Sequence, residues 1–416
     1  MKMPDLANFR MDLSVFFFAL AISFQTTLTT LAVAQNPPPP PQPPPPSPKT
    51  DVQPKSEFQA LLEQARALLQ ARQFEDAIPA IKRMIELQPD SIMARVELSN
   101  ALLNLRRPQE ALTEANQAVK IDPKSALAHF GLGNVNLAMR RYAEAVEAYS
   151  QAILLDPNYL RAYVNLGTLH GQMGKFAESE KAFKEALRIR PDDANSLNGL
   201  GIALFRQGRQ EEGIALVQQA VRISPNFANA YINLGSWLSQ IGRYEESVEA
   251  LSQVIRIAPK FPPAYRNRAL NNFYLGRSEA AAKDAKAFLD MTNWNGENSQ
   301  FMVIIAVLGY RRAGLEAEAQ ILLDQAPKRL DIMAWPFPII KYLKRESTVQ
   351  AILDLAIDND RMTEARAYLG VDLLQQGKRE EALPHLQWVK ENGNKRFVEY
   401  PLALVELGRL EKNAQK

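Results

Sequence analysis

The sequence contains no cysteine among its 416 residues. Disulfide bonds, thiol nucleophiles, thiolate metal sites and lipidated cysteines are therefore excluded, while an oxidising compartment is permitted but not indicated. Histidine is scarce as well: there are three, His129, His170 and His385, and no two are spaced as metal ligands on one helix would be. We interpret His129 and His170 as packing residues; His385 follows Pro384 inside a predicted helix and has no second histidine near it, so we predict no metal site.

Motifs for catalysis and cofactor binding are also missing. The sequence has no GxxxxGK(S/T), GxSxG or HExxH motif, and no GxGxxG that opens a helix after a strand. Beyond residue 295 only about 120 residues remain, all helical in pattern, which leaves no room for an α/β catalytic domain. We therefore predict that the protein is not an enzyme and binds no cofactor.

Neither sign of charge is in excess. The 49 lysines and arginines face 46 aspartates and glutamates, so the net charge is only +3 over the whole chain. Proteins that bind nucleic acid concentrate basic residues on one surface. The even balance argues against a nucleic-acid partner.

The first 34 residues have the order of a secretory signal. Lys2 and Arg10 precede the apolar run LSVFFFALAISF, and the small residues Ala32, Val33 and Ala34 follow it. The run is about twelve residues long, short of the roughly 20 that a membrane-spanning helix needs. We predict that residues 1–34 are a signal peptide and that the protein is secreted or periplasmic. Two early aspartates weaken the positive end, so an uncleaved membrane anchor is the alternative, and only that alternative implies a membrane.

Proline is concentrated in the stretch NPPPPPQPPPPSPKT, which holds ten of the 27 prolines between Pro37 and Pro48. Proline fixes the backbone and removes an amide donor, so residues 35–57 are predicted to form an extended polyproline II linker. A ligand for an SH3-like groove is the alternative role. A spacer suits an exported protein better.

From residue 58 the sequence repeats with a period of 34 residues. Residues recur at this spacing in three series: Pro89 to Pro259, Gly133 to Gly235, and Gly174 to Gly276. Within the period 160–193, an apolar stripe with helical spacing is broken by Gly174, and a second stripe ends at Pro191. Each period is predicted to be a helix, a turn and a helix. Neighbouring hairpins stack because one alone cannot bury its apolar faces.

This unit resembles the tetratricopeptide repeat (TPR), which has the pattern W-x2-L-G-x2-Y, A-x3-F, P. In the period 160–193 the matching positions are Tyr163, Leu166, Gly167, His170, Phe183 and Pro191. The resemblance implies an all-α fold, a right-handed TPR superhelical solenoid of helix-turn-helix repeats with a C-terminal capping helix. On this frame residues 58–295 hold seven repeats, and residues 296–330 hold a further TPR-like hairpin.

The register is lost over residues 331–362, predicted to be an off-register helical segment, and returns over residues 363–416, predicted to hold a last TPR hairpin and the capping helix. The stretches TEARAYLG, QGKREEA and FVEYPLALVEL resemble the end of bacterial periplasmic TPR adaptor lipoproteins, which bring cell-wall hydrolases to a processing protease. That resemblance implies a cell-envelope adaptor that regulates a peptidoglycan hydrolase or protease. Those adaptors are anchored through a lipidated cysteine, and this chain has none, so the anchor does not carry over.

A TPR solenoid binds extended peptides or partner helices on its inner face, which is built mainly from first-helix residues beside the packed stripe. We predict that this face binds a protein or peptide partner through Phe130, Asn134, Val164, Asn165, Asn198, Ile202, Ile232, Asn233, Arg266 and Asn267. An asparagine amide offers both a donor and an acceptor to a peptide backbone. The alternative is that these asparagines are solvated or bond within the solenoid.

The predicted function is therefore a non-enzymatic scaffold for protein-protein interaction, with the cell-envelope adaptor as the alternative. The clamp by which some TPR domains hold chaperone C-terminal carboxylates is not assembled, because Phe130, Asn195 and Gly199 stand where that clamp has charged residues. The sequence leaves open who the partner is and whether the chain forms a homo-oligomer.

Overall fold

The computed structural model describes residues 54–414 of the chain. The predicted signal peptide and most of the proline-rich linker lie outside these residues. Within them the secondary structure is helical, without a β-strand, so the predicted all-α class is confirmed. The described helices are α1 (Pro54–Gln70), α2 (Phe74–Leu87), α3 (Ile92–Asn104), α4 (Pro108–Ile121), α5 (Ala126–Ala138), α6 (Tyr142–Leu155), α7 (Leu160–Gln172), α8 (Phe176–Ile189), α9 (Ala194–Arg206), α10 (Gln210–Ile223), α11 (Ala228–Gln240), α12 (Tyr244–Ile257), α13 (Pro262–Tyr274), α14 (Ser278–Met291), α15 (Ser299–Arg312), α16 (Glu316–Arg329), α17 (Phe337–Leu343), α18 (Val349–Leu355), α19 (Asn359–Gln375), α20 (Arg379–Asn392) and α21 (Glu399–Ala414).

These helices fall into two compact units that divide after Pro225. The first unit includes α1 to α10, and the second includes α11 to α21. From α1 to α16 the helices alternate as first and second members of hairpins, at the spacing that the sequence repeat predicts. Helix α1 begins at Pro54, four residues ahead of Phe58, so the end of the predicted linker is helical.

Each hairpin turns on one residue with a left-handed backbone. In the fourth and fifth repeats this residue is Gly174 or Gly208, with φ of +73° and +87°. In the first three repeats the same position holds an arginine, at Arg72, Arg106 and Arg140, with φ of 60°, 58° and 59°. Glycine takes this conformation freely, whereas a residue with a Cβ is strained there by roughly 1–2 kcal/mol. The glycine periodicity did not predict these three arginine turns.

Small residues in the first helices make room for large ones in the second helices. A Cβ added to Gly133 would lie 2.5 Å from the ring of Tyr149, and one added to Gly199 would lie 2.2 Å from the ring of Phe183. Real Cβ atoms do not approach rings so closely, so either substitution would displace the aromatic side chain. The glycines of the repeat pack helix against helix, as the sequence predicts.

The second unit ends in helices that return to its own repeats. Ala403 and Leu407 of α21 pack with Leu386 and Val389 of the α19–α20 hairpin. The same helix reaches the seventh repeat, where the Tyr274 hydroxyl of α13 donates to the Val398 carbonyl at 2.8 Å. The predicted capping helix is therefore present and covers more than the hairpin next to it.

The last turns of α15 are covered by α19 and α21. Gln375 of α19 donates its side-chain amide to the Leu308 carbonyl at 3.0 Å, and Arg312 pairs with the buried Glu406 of α21 at 2.8 Å. Leu308 precedes its turn glycine Gly314 by six residues, just as Asn134 precedes the turn residue Arg140. The part of α15 that corresponds to the predicted inner face is thus occupied by the chain itself.

Candidate peptide-binding surface

Two of the predicted asparagines join one hydrogen-bonded cluster in the first unit. Asn134 lies on α5, Asn165 on α7, and Tyr149 on α6 between them in sequence. The Tyr149 hydroxyl donates to Asn134 Oδ1 at 2.9 Å, and Asn165 Nδ2 donates to the same oxygen at 3.0 Å. We call these three residues the amide cluster. Its internal bonds match the alternative in which the asparagines bond within the solenoid, but they do not use every group.

The amide cluster leaves one donor and one acceptor unused. Asn134 Nδ2 and Asn165 Oδ1 have no hydrogen-bond partner among residues 54–414, and both side chains are partly exposed. The nitrogen and oxygen of an amide can be exchanged by rotation, yet exchanging both amides here would again leave one N–H donor and one carbonyl acceptor. A peptide bond needs the same two groups, so the cluster is complementary to an extended backbone.

Tyr149 fixes the cluster and was not predicted from the sequence. Burial raises the pKa of Tyr149, an effect that the hydrogen bond from Asn165 opposes, so the phenol stays protonated and able to donate. The sequence does carry a signal for it. At the same repeat position the following repeats have the apolar residues Phe183, Val217 and Leu251, so Tyr149 places a hydroxyl where its counterparts have none.

Phe130 lies next to the amide cluster but inside the core. Its ring is only 2% exposed and packs against the rings of Tyr149 and Tyr159, with centroids 5.8 and 5.2 Å away. The guanidinium of Arg161 covers it at 4.8 Å. The predicted apolar contact of Phe130 with a partner is therefore not available, and Arg161 takes its place at the surface.

The remaining predicted residues of the first unit lie on α7 and α9. Val164 packs beside Phe183, Leu200 and Leu204, and Ile202 is partly exposed. Asn198 is 9% exposed. Ile202 is thus more accessible to a partner than Asn198.

In the second unit the predicted residues of α11 are largely buried. Ile232 is 8% exposed and Asn233 is 9% exposed. Helix α13 differs, because Arg266 and Asn267 are both partly exposed. Arg266 Nε donates to Asn267 Oδ1 at 3.1 Å. We call Arg266 and Asn267 the donor pair, because the amide oxygen is used and the groups that remain are N–H donors.

The three histidines lie outside both groups of residues. His129 Nε2 lies 3.0 Å from the Pro123 carbonyl, and desolvation lowers the pKa of both His170 and His385. Across residues 54–414 no group of three or more histidine, aspartate or glutamate side chains is arranged to hold a metal ion. In the same part of the chain, no helix combines the length and apolarity that crossing a membrane requires.

Solved TPR proteins are similar to this chain in fold. One from Parabacteroides merdae is 16% identical, with 61% of this chain and 98% of that one covered and a TM-score of 0.43. PilF of Pseudomonas aeruginosa is 19% identical, with 50% and 94% covered and a TM-score of 0.44. YrrB, described as a TPR protein with an unusual peptide-binding site, is 22% identical, with 44% and 95% covered and a TM-score of 0.37. No curated protein sequence matches the chain.

One family model matches the sequence, and its description is the C-terminal TPR domain of cilia and flagella-associated protein 70. It matches residues 46–269, which is more than half of the 416 residues. This range includes the six complete hairpins from α1 to α12. The 34-residue period, the helical hairpins and the matched model agree, and the protein belongs to the TPR family that this model describes.

Proposed function

We propose that the protein is a non-enzymatic scaffold that binds an extended segment of a protein partner through the inner face of its first helices. The observation that carries this proposal is the amide cluster, which leaves an N–H donor beside a carbonyl acceptor on neighbouring first helices. Backbone-directed bonds of this kind give affinity for an extended chain with little demand on its sequence. Ile202, on the first helix after that of Asn165, adds an apolar contact for a side chain.

The substitution Asn134→Asp tests the amide cluster without dismantling it. An aspartate at this position still accepts from the Tyr149 hydroxyl and from Asn165 Nδ2, but it has no N–H to offer a partner. The matched control is Asn116→Asp, which makes the same charge change at an exposed residue on a second helix, α4. The probe is a fluorescent pool of random dodecapeptides, acetylated and amidated at their ends and used in anisotropy titrations.

We expect Asn134→Asp to weaken pool binding about tenfold, because a donor is lost and an acceptor faces the peptide carbonyl. Asn116→Asp is expected to bind as the wild type does. Thermal melting of both variants checks that the fold is retained. A wild type that binds no pool, or an Asn134→Asp variant that binds as well as its control, overturns the proposal.

We further propose that this scaffold works outside the cytoplasm, as a secreted or periplasmic protein. The support is the order of charged, apolar and small residues over residues 1–34, followed by a proline-rich spacer. N-terminal sequencing of the native protein should find Gln35 as the first residue. A native chain that retains Met1 in the cytoplasm overturns this proposal.

The alternative function is a cell-envelope adaptor that regulates a peptidoglycan hydrolase or protease. The feature that favours it is the C-terminal module of α19, α20 and α21, whose sequence resembles the end of such adaptors. Affinity capture of the mature protein from its native envelope separates the two functions. Co-purified hydrolase or protease activity favours the adaptor, and a partner without such activity favours the general scaffold.

A further inference from the structure

Two arginines on the same helix of the second unit differ in their partners. Arg268 of α13 holds Asp284 through two bonds, from Nε at 2.8 Å and from a terminal nitrogen at 2.7 Å. Arg266, one half-turn earlier, has no ion pair with any described carboxylate, and its only hydrogen bond goes to the neutral Asn267. Helix α13 therefore carries one arginine with a salt bridge and one without a salt bridge to any described carboxylate.

The charge of Arg266 is costly where it lies. Its side chain is only partly exposed, and desolvation lowers the pKa of its guanidinium, an effect that the charge of Glu297 opposes. A partly buried charge without a hydrogen-bonded counter-ion loses solvation, and a more distant carboxylate such as Glu297 does not fully replace it. Residues with such an uncompensated cost tend to mark sites where a ligand supplies the missing partner.

The unused hydrogen-bonding groups of this site are all donors. Arginine has no acceptor, so the oxygen of the Asn267 amide must face Arg266 Nε, and the orientation of that amide is fixed. The groups left over are the two terminal nitrogens of Arg266 and the Nδ2 of Asn267, all donors. A group that only accepts, with two oxygens in one plane, matches an arginine edge best, and a carboxylate has that form.

We propose that Arg266 and Asn267 bind a carboxylate of the partner, and that the protein therefore selects acidic segments. The inference rests on the proposed scaffold function and adds the chemistry of the partner to it. The carboxylate belongs either to an aspartate or glutamate side chain or to the partner's C-terminus. The site also differs from the chaperone clamp considered above, because both residues that form it belong to one helix, α13.

Three fluorescent pools of random dodecapeptides distinguish these sources. The first has glutamate at its centre and an amidated end, the second has glutamine there and an amidated end, and the third has glutamine and a free C-terminal carboxylate. Each pool is titrated into the full mature chain, into Arg266→Gln and into Arg277→Gln. Arg277 is the matched control, since it is an exposed arginine of the following turn and its loss changes the net charge equally.

We expect the wild type and Arg277→Gln to bind one acidic pool about tenfold more tightly than the neutral pool, in line with the strength of a charge-assisted bond. Arg266→Gln should lose this preference and bind the acidic and neutral pools equally well. Preference for the glutamate pool identifies a side-chain carboxylate, and preference for the free-end pool identifies a C-terminal one. Arg266→Lys keeps the charge without the planar edge and should retain only part of the preference, which gives a second variant if Arg266→Gln fails to fold.

Equal binding of all three pools by the wild type overturns the carboxylate inference but leaves the scaffold function standing. A preference that survives in Arg266→Gln overturns it as well. If no pool binds the wild type, both the inference and the proposed function fail. Thermal melting adds a structural check, because removing an unpaired charge should leave the stability of the second unit unchanged or slightly higher.

Discussion

The amide cluster of the first unit and the donor pair of the second unit are built from the same asparagine side chain but leave different groups unpaired. In the amide cluster, two asparagines and a tyrosine satisfy one another and leave a donor next to an acceptor. In the donor pair, an arginine takes up the oxygen of Asn267 and leaves donors alone. The neighbour of an asparagine, rather than the asparagine itself, decides which partner chemistry it presents.

The two units also differ in how much first-helix surface they leave open. The first unit keeps Asn134 and Asn165 partly exposed. The second unit closes over α15 with its own α19 and α21, through Gln375 and Glu406. The predicted binding residues of the second unit lie on α11 and α13 instead, and the donor pair is on α13. Both units are built from the same repeated hairpin. Their first-helix surfaces differ because of residues that depart from the repeat pattern.

The positions of the tryptophans allow the unfolding of the two units to be followed separately. The four tryptophans, Trp237, Trp294, Trp335 and Trp388, all lie after Pro225. Tryptophan fluorescence therefore reports unfolding of the second unit, whereas far-ultraviolet circular dichroism reports helices in both units. A substitution that acts on one unit alone should separate the two signals.

The largest expected effect comes from removing α21. Truncation after Phe397 deletes Leu402 and Leu407, which are 1% and 7% exposed, and leaves Arg312 without Glu406. Burial of each leucine contributes roughly 1.5–3 kcal/mol, and breaking a buried ion pair costs roughly 3–5 kcal/mol, so we expect a loss of about 5 kcal/mol or more. Urea unfolding followed by tryptophan fluorescence should show the loss, and light scattering should show association of the exposed apolar surface.

Full-length protein in the same buffer is the control for the truncation. The unfolding transition of the first unit, followed by circular dichroism, should have the same urea midpoint as in the full-length protein. A truncated chain that stays monomeric with an unchanged fluorescence midpoint would show that α21 is dispensable for the second unit.

A smaller effect, confined to the first unit, is expected from Gly133→Ala. The new Cβ would lie 2.5 Å from the ring of Tyr149, so the ring and the amide cluster attached to it must shift. Overpacking of this kind costs roughly 1–3 kcal/mol. The control, Gly208→Ala, adds a methyl group where nothing lies within 4 Å, and only its φ of +87° is unfavourable, which costs about 1 kcal/mol.

For Gly133→Ala, the urea midpoint measured by circular dichroism should fall, while the midpoint measured by tryptophan fluorescence should not change. The same variant should weaken binding of the neutral peptide pool, because Tyr149 no longer orients Asn134. Equal shifts in both signals would mean that the two units unfold together. Unchanged peptide binding would show that the amide cluster does not contribute to binding.

The sequence predicted the hairpins but not which of their equivalent residues would be available to a partner. A period of 34 residues reports local structure directly, because helix spacing and turn glycines are properties of short segments. Exposure is different, since it depends on the side chains of neighbouring helices. Phe130 has the position of an inner-face residue, yet Tyr149, Tyr159 and Arg161 enclose it.

The closure of α15 was hidden from the sequence for a similar reason. Gln375 and Glu406 reach it from positions 67 and 94 residues away, and no short-range pattern encodes such a contact. The orientation of Asn267 could have been predicted, since an adjacent arginine with no acceptor fixes it. A contact between residues of different repeats can be identified only from the packed structure, whereas a contact between residues adjacent in sequence can be predicted without it.

Acid should weaken the second unit through His385. Desolvation, followed by the charge of Arg366, lowers the pKa of His385, so the unfolded chain takes up its proton more readily than the folded one. Stability from this group is therefore complete above the ordinary histidine pKa of about 6.5 and is lost as the pH falls below it. His385→Gln removes the titrating group and keeps an acceptor for Arg366. We expect the fluorescence midpoint of the wild type to fall between about pH 7.5 and 5.5, and that of His385→Gln to fall less. The same fall in both proteins would assign the acid sensitivity elsewhere.

The smallest effect concerns the turns, which also differ between the units. In the second unit the repeat hairpins turn on Gly242, Gly276, Gly314 and Gly377, whereas the third repeat of the first unit turns on Arg140 with φ of 59°. Arg140→Gly should relieve roughly 1–2 kcal/mol of backbone strain, and the greater freedom of glycine in the unfolded chain should take back about 0.5–1 kcal/mol. The midpoints of these two ranges leave a net gain of about 0.75 kcal/mol, visible as a higher urea midpoint by circular dichroism and absent from tryptophan fluorescence. The reciprocal variant Gly174→Arg, in the next repeat with φ of +73° and open space around it, should lose a similar amount. If Arg140→Gly destabilises the first unit, the arginine makes a favourable contribution at this turn that outweighs its strain, and the arginine turn is then the more stable of the two kinds.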